Sequence, residues 1–269
     1  MELAKKTIIV VGLGSTGIAV ARFLKNRGAT VIVSDQADEE TLGSRAQRIH
    51  EMGIAMELGH HKTQTFERAD LVVLSPGVSH TLEPVLRAKE RGVPVIGEIE
   101  LASRFIKEPI IAITGTNGKT TTTEILGSML IRSGFNVFVG GNIGNPLISY
   151  ADGEQKADVI VAEISSFQLD TIDTFRPRIS VLLNITVDHL DRYPSFDAYA
   201  ASKLRIFKNQ QPNDLAVLNG SNPLVRSLTA PLKITKLYYG SLNSGELGAV
   251  NNGTRIRFRF KESKRRDNK

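Results

Sequence analysis

Apolar positions in this chain come in short unbroken runs separated by stretches of helical spacing. Runs at residues 7–11, 30–34, 71–74 and 93–96 read as buried strands, with helices expected at 16–26, closed by Gly28, and at 83–91. Strands that read as continuous apolar runs are covered on both faces. The alternation therefore predicts a parallel sheet between helical layers, a Rossmann-like unit over residues 1–97. A helical connector over 98–107 stops at Pro109, and the alternation restarts with a strand at 110–114. Further strands at 136–139, 158–164, 179–184 and 215–219, with helices at 124–132 and 196–208, predict a second α/β domain over 98–260. Beyond Lys236 the pattern changes. Asn251, Asn252 and Gly253 suit a hairpin turn, and residues 254–260 alternate polar with apolar as an antiparallel strand does. Residues 261–269 hold almost no apolar side chain, which predicts a disordered charged tail.

Composition narrows the function. A chain of 269 residues accommodates roughly two domains of ~100–150 residues. The formal charge of +6 is concentrated at one end: eight basic against two acidic residues from Arg255 to Lys269 account for all of it. The charge therefore marks a tail rather than a basic face, and no nucleic-acid partner is expected. The absence of cysteine removes disulfides and thiolate metal sites and fits a reducing compartment. The polar N-terminus runs straight into a short strand, and no apolar run approaches the ~20 residues of a membrane span. The expectation is a soluble, cytoplasmic monomer with no membrane partner.

Three features carry chemistry. The segment Ile110-Ile-Ala-Ile-Thr-Gly-Thr-Asn-Gly-Lys-Thr-Thr-Thr123 is an apolar strand, a glycine loop and a helix start. This is the logic of a P-loop: backbone N–H groups of Gly115, Thr116, Asn117 and Gly118 and the start of the following helix cradle phosphates, Lys119 reaches the terminal phosphates, and Thr120 offers a hydroxyl to Mg²⁺. The strict P-loop spacing is not met, since Ile113 stands where its first glycine belongs. Gly12, Gly14 and Gly17 follow the first strand, and Asp35 closes the second. That pattern fits an anionic, nucleotide-like ligand, with a purely structural tight turn as the alternative. Glu163, His189 and Lys203 lie at or beyond the ends of central-domain strands, where open α/β sheets place ligands. Taken singly they suit a helix cap, a loop histidine and a solvated lysine. Gathered at the P-loop, the carboxylate and imidazole would make a Mg²⁺ site for phosphoryl transfer.

With these residues in view, the chain resembles the Mur ligase family. The resemblance rests on Gly12-Leu-Gly-Ser-Thr-Gly17, Ser75-Pro-Gly77, Gly115-Thr-Asn-Gly-Lys-Thr120, Gly141-Asn-Ile-Gly144, Glu163-Ile-Ser-Ser-Phe-Gln168, the segment from Asn184 to Pro194, and Lys203-Leu-Arg205. The first-domain loop, Ser-Pro-Gly and Ser-Ser-Phe-Gln point to the branch that adds D-glutamate to UDP-N-acetylmuramoyl-L-alanine in peptidoglycan synthesis. The resemblance implies that Ser15, Thr16 and Asp35 bind the UDP portion, with Gly77 also in the substrate site. It implies ATP on Gly115 to Thr121, with Lys119 holding the phosphates. Thr120 and Glu163 would bind one Mg²⁺, and His189 a second together with Lys203 carbamylated by CO₂. Asn142, Gln168 and His189 would contact the sugar-peptide. The reaction implied is attack of the substrate carboxylate on the ATP γ-phosphate, then of the D-glutamate amine on the acyl phosphate. Asn219 is followed by Gly220, Ser221 and Asn222 where the family often has Asn-x-Asp-Asp. The family's third domain, which supplies the D-glutamate site, is absent, so the chain is expected to bind nucleotide without completing the ligation alone. The alternatives are a ligase for another amino acid, a folylpolyglutamate-type enzyme, an NAD-binding sensor and a non-catalytic nucleotide-binding fragment.

Overall fold

The structure is a computed structural model that describes residues 1–154, 156–251, 253 and 255–260. Asn252, Thr254 and residues 261–269 lie outside the described residues, and with them the middle of the expected turn, the first residue of the last strand and the tail. The first unit runs β1 (Thr7–Val11), α1 (Ser15–Asn26), β2 (Thr30–Asp35), α2 (Glu39–Leu42), α3 (Ser44–Glu51), β3 (Ala55–Leu58), α4 (Thr63–Glu67), β4 (Leu71–Leu74), α5 (Glu83–Glu90) and β5 (Val95–Gly97). Its sheet is all parallel in the order β3-β2-β1-β4-β5. Alternation along β1 explains why both faces are apolar: Ile8 and Val10 join one buried cluster, Ile9 and Val11 another.

The helix α6 (Glu98–Ser103) leads into the second unit, β6 (Ile110–Thr114), α7 (Lys119–Arg132), β7 (Val137–Gly141), α8 (Leu147–Asp152), β8 (Val159–Glu163), α9 (Ser166–Leu169), β9 (Ile179–Leu182) and α10 (Phe196–Leu204). A 3-10 turn over Arg205–Phe207 is followed by β10 (Leu215–Asn219), α11 (Pro223–Thr229), β11 (Thr235–Tyr239), β12 (Leu247–Asn251) and β13 (Ile256–Arg259). The second sheet has the order β13-β12-β11-β10-β9-β6-β8-β7, parallel throughout except for the antiparallel β12–β13 pair.

Several elements differ from the sequence expectation. The connector is helical only to Ser103, and the helix expected over 196–208 turns 3-10 at Arg205. The P-loop helix starts at Lys119, five residues before the expected position. The strands β3, β11 and β12, and the helices α2, α3, α4, α8, α9 and α11, were not anticipated.

The two units share a core. One buried cluster includes Ile8, Val10 and Phe23 from the first and Ile148, Ile160, Phe175 and Leu182 from the second. Two carboxylates on α6 fasten the junction. Glu100 accepts hydrogen bonds from the backbone N–H groups of Asp173, Thr174 and Phe175, the Thr174 hydroxyl and Arg104. Its burial opposes ionisation, but these donors hold the carboxyl below its ordinary range. Glu98 is fully enclosed and accepts from Ile148 N at 2.7 Å. There burial wins, pushing the carboxyl up to about 7 against the pull of the Ile148 and Leu147 N–H groups. Among the described residues, no helix is long and apolar enough to cross a membrane.

Candidate active site

Sheet order brings distant residues together. β6 lies between β8 and β9, with Ile113 level with Glu163 and Thr114 level with Leu182. The loop leaving β6, Glu163 ending β8 and Asn184 just past β9 therefore meet at one carboxyl edge of the sheet, where parallel α/β sheets hold ligands. The loop turns into α7 at Gly118, whose φ of +83° lies in the left-handed region that glycine enters without strain. Asn184 braces it: Oδ1 accepts from Thr116 N (3.1 Å) and Asn117 N (2.9 Å), and Nδ2 donates to Asn117 O (3.0 Å).

Two cations and one carboxylate face this loop. Lys119 Nζ donates to the carbonyls of Gly115 (3.0 Å) and Thr116 (2.9 Å). The Thr120 hydroxyl donates to Glu163 Oε2 at 2.8 Å, and Asn142 Nδ2 donates to Glu163 Oε1 at 2.9 Å. Lys203, 2% exposed, sends Nζ to Gly115 O at 2.9 Å and lies 4.6 Å from the Tyr199 ring centre. Burial, aided by the nearby Lys119 charge, holds its amine down at about 7. Among the described residues no group of three or more His, Cys, Asp or Glu side chains forms a metal cage. The Thr120 hydroxyl and Glu163 carboxylate are nevertheless hard oxygen donors of the kind Mg²⁺ takes alongside phosphate and water.

His189 sits at the same edge but farther out. Its backbone is left-handed (φ +53°), and its ring packs 5.0 Å from Phe167 and 5.9 Å from Tyr199. Tyr199 in turn contacts Thr116 Oγ1 through its hydroxyl at 3.2 Å, so one aromatic ring separates His189 from the loop. Gln168 is buried. Its Oε1 closes a capping box on Ser165, while Nε2 has no hydrogen-bond partner among the described residues.

In the first unit, the glycine loop between β1 and α1 is fixed from two sides. Asp35 accepts from Leu13 N (2.6 Å) and Ala37 N (2.9 Å), and the Ser75 hydroxyl donates to Gly12 O (2.8 Å). A Cβ on Gly17 would run into the Gly12 carbonyl oxygen, so helix and loop can approach this closely only with glycine there. Ser15 and Thr16 open α1, exposed and half-exposed. A cavity of about 240 Å³ beside the loop is lined by Gly12, Asp35, His61, Gly77, Ser79 and Arg192, among others. His61 accepts or donates through Nδ1 to the Ser34 hydroxyl at 2.8 Å, and burial lowers its pKa, favouring the neutral ring.

The structure thus gathers Gly115 to Thr121, Glu163, Asn142, Lys203 and, one ring away, His189 at one edge, and places Ser15, Thr16, Asp35 and Gly77 around the first-unit loop. Sequence reasoning assigned no role to Asn184, Ser75, Tyr199 or Arg192. All but Arg192 act by holding a loop in shape, and only the motifs containing Ser75, Asn184 and Arg192 hinted at them.

Comparison with known proteins bears on the same residues. A model of the Mur ligase MurD-like N-terminal domain matches residues 6–97, and one of the Mur ligase middle domain matches 113–264. The UDP-N-acetylmuramoylalanine–D-glutamate ligase of Desulfatibacillum aliphaticivorans is 52% identical over 258 residues, 96% of this chain and 57% of that protein. The ligase of the same name from Desulfosudis oleivorans is 50% identical over 256 residues, 95% of this chain and 56% of that one. The chain spans little more than half the length of these relatives. Among solved structures, the UDP-N-acetylmuramate:L-alanyl-γ-D-glutamyl-meso-diaminopimelate ligase of Neisseria meningitides superposes with a TM-score of 0.61 at 22% identity, covering 95% of this chain and 85% of that one. At that identity the likeness speaks for the fold.

Proposed function

The chain belongs to the Mur ligase family, and from that premise we propose that it forms the substrate-binding and ATP-binding part of an ATP-dependent ligase that adds D-glutamate to UDP-N-acetylmuramoyl-L-alanine in peptidoglycan synthesis. One observation carries the reading: the Thr120 hydroxyl, the Glu163 carboxylate and two lysines converge on a phosphate-cradling loop, 4 to 88 residues apart along the chain.

In this reading Gly115, Thr116, Asn117, Gly118, Thr120 and Thr121 surround the ATP phosphates, and Lys119 exchanges its carbonyl partners for phosphate oxygens. Thr120 and Glu163 would hold Mg²⁺, which offsets phosphate charge when bound. The substrate carboxylate then forms a bond to the γ-phosphorus as the β,γ-bridging bond breaks, leaving ADP and an acyl phosphate. The D-glutamate amine forms the amide, with loss of a proton and departure of phosphate. Charge is the main obstacle, because an anion attacks an anion; Lys119 lowers that barrier, each ~1.4 kcal/mol being worth tenfold in rate. Asn142, Gln168 and His189 would orient the sugar-peptide, and Ser15, Thr16, Asp35 and Gly77 would hold its UDP end. A carbamylated Lys203 is supported by its enclosure and by an amine held at about 7, which leaves a nucleophilic fraction at neutral pH.

The test is titration of the purified chain with ADP plus Mg²⁺, with UDP-N-acetylmuramoyl-L-alanine and with NADH. Binding of the first two is expected, with Glu163→Gln abolishing the gain in ADP affinity that Mg²⁺ gives. NADH binding without UDP-sugar binding would overturn the reading in favour of a dinucleotide sensor.

A further inference from the structure

The turn that carries His189 also reaches the other pocket. The N–H groups of Arg192 and Tyr193 both donate to His189 O, at 2.9 and 3.0 Å, closing a compact turn that follows the left-handed His189. Phe167 anchors it: the Tyr193 ring stacks on it at 5.7 Å, and the Arg192 guanidinium lies 5.0 Å from its centre. From there Arg192 crosses to the first unit, where Nη2 donates to Gly77 O at 3.1 Å. It is the only lysine or arginine lining the cavity beside the glycine loop among the described residues. Arg45, the other guanidinium near that loop, is directed at the carbonyls of Leu13, Thr41 and Leu42 and does not line the cavity.

The other groups lining this cavity leave a place for negative charge. Asp35 lines it with each carboxylate oxygen already taken by a backbone donor, and His61 is bonded to Ser34. The loop offers the N-terminal end of a twelve-residue helix. A guanidinium has five N–H donors in a planar fork, so Arg192 can keep Gly77 and still present donors to an anion. A volume of about 240 Å³ falls below the ~300–1,000 Å³ of whole small-molecule pockets, and suits one anionic portion of a longer ligand.

We propose that Arg192, supplied by the second unit, recognises the diphosphate of the sugar nucleotide in the first unit's pocket. One turn then serves both ends of the substrate: Arg192 holds the diphosphate while His189, three residues earlier, lies one aromatic ring from the phosphate-transfer loop. The proposal rests on the reading of the first-unit pocket as the UDP site.

Calorimetric titration of the 269-residue chain, with Arg192→Ala, Arg192→Gln and Arg192→Lys, separates the two. The ligands are UDP-N-acetylmuramoyl-L-alanine, UDP and uridine. Loss of a charge-assisted contact should weaken UDP and the UDP-sugar by about tenfold or more in the Ala and Gln variants, with uridine affinity unchanged and partial recovery in Arg192→Lys. Arg192→Gln keeps a donor for Gly77 without the charge; wild-type UDP affinity in that variant would overturn the inference while leaving the UDP site standing. Equal losses for uridine and UDP would also overturn it, reducing Arg192 to a strut between the units. Failure of the wild-type chain to bind any of the three ligands would remove the UDP site itself, and the inference with it.

Discussion

Two buried side chains hold protons out of step with solution, and each leaves a mark on stability. Glu98 titrates at about 7 in the fold against 4.5 when exposed, so between those values the folded state binds the extra proton and stability falls as pH rises. Lys203 titrates at about 7 against 10.5, so above 7 the unfolded state binds the extra proton and stability climbs. Within its window each pH unit is worth up to ~1.4 kcal/mol. Together the two groups contribute a trough near neutrality. Urea unfolding at about pH 5.5, 7 and 9 should show Glu98→Gln gaining on the wild type from the first to the second and no further, while the advantage of Lys203→Met is largest at the two lower values and shrinks by the third. Parallel pH profiles for wild type and variants would mean that neither group is enclosed as described. A charged lysine is costly here first because it is buried and then because Lys119 lies near; the same enclosure makes it a usable nucleophile toward CO₂.

At the level of elements, the site exists because β6 is flanked by β8 and β9, strands whose ends carry Glu163 and the segment leading to Asn184. Asn184 braces the loop that leaves β6: its Oδ1 takes the Asn117 N–H and shares the Thr116 N–H with the Asn184 backbone carbonyl. Asn184→Ala should cost ~1–2 kcal/mol in urea unfolding and weaken ADP by about tenfold, since the loop loses its shape before any phosphate arrives. Asn184→Asp keeps the acceptors and should recover most of the stability but little of the affinity, because its charge faces phosphate. Unchanged ADP binding in both would show that the loop holds itself. The buried strands were legible in sequence since a strand covered on both faces is an uninterrupted apolar run, as in β1, β4 and β6. β3 was not, because Ala55–Leu58 is nowhere fully buried and carries Glu57 on an edge. The phosphate loop and Glu163 could be read from residue type and position. Asn184 and Tyr199 could not, because their work is done on backbone groups and hydroxyls that only folding brings near. Arg192 was hidden for a different reason: it serves a pocket in the other unit.

Across the whole molecule, the junction and the outer face of the second sheet are covered very differently. At the junction, a continuous apolar core, the Glu100 hydrogen bonds and the pairing of Asp152 with Arg22 and Arg27 hold the units together. On the other face, Ile111, Ile113, Val161, Val181 and Leu183 form a separate buried cluster with Leu126 and Leu130 of α7. Between α7 and the strands remains a cavity of about 890 Å³ whose lining includes Leu126, Met129, Val181, Val217 and Tyr239. Ile125 and Met129 on the rim are 55% and 61% exposed. A parallel sheet is ordinarily covered by helices on both faces, and an apolar opening of this size is a strong binding surface for amphipathic dyes. The folded chain should therefore enhance the fluorescence of a naphthalene-sulfonate dye without any denaturant. Replacing Ile125 and Met129 together by lysine should remove most of that signal, because the charges sit at the mouth where the dye enters. Both positions are exposed, so the unfolding free energy in urea should stay within ~0.5 kcal/mol of wild type, which separates a blocked surface from a loosened core. Dye binding that persists in the double variant, or its absence from the wild type, would show that this face is closed in solution.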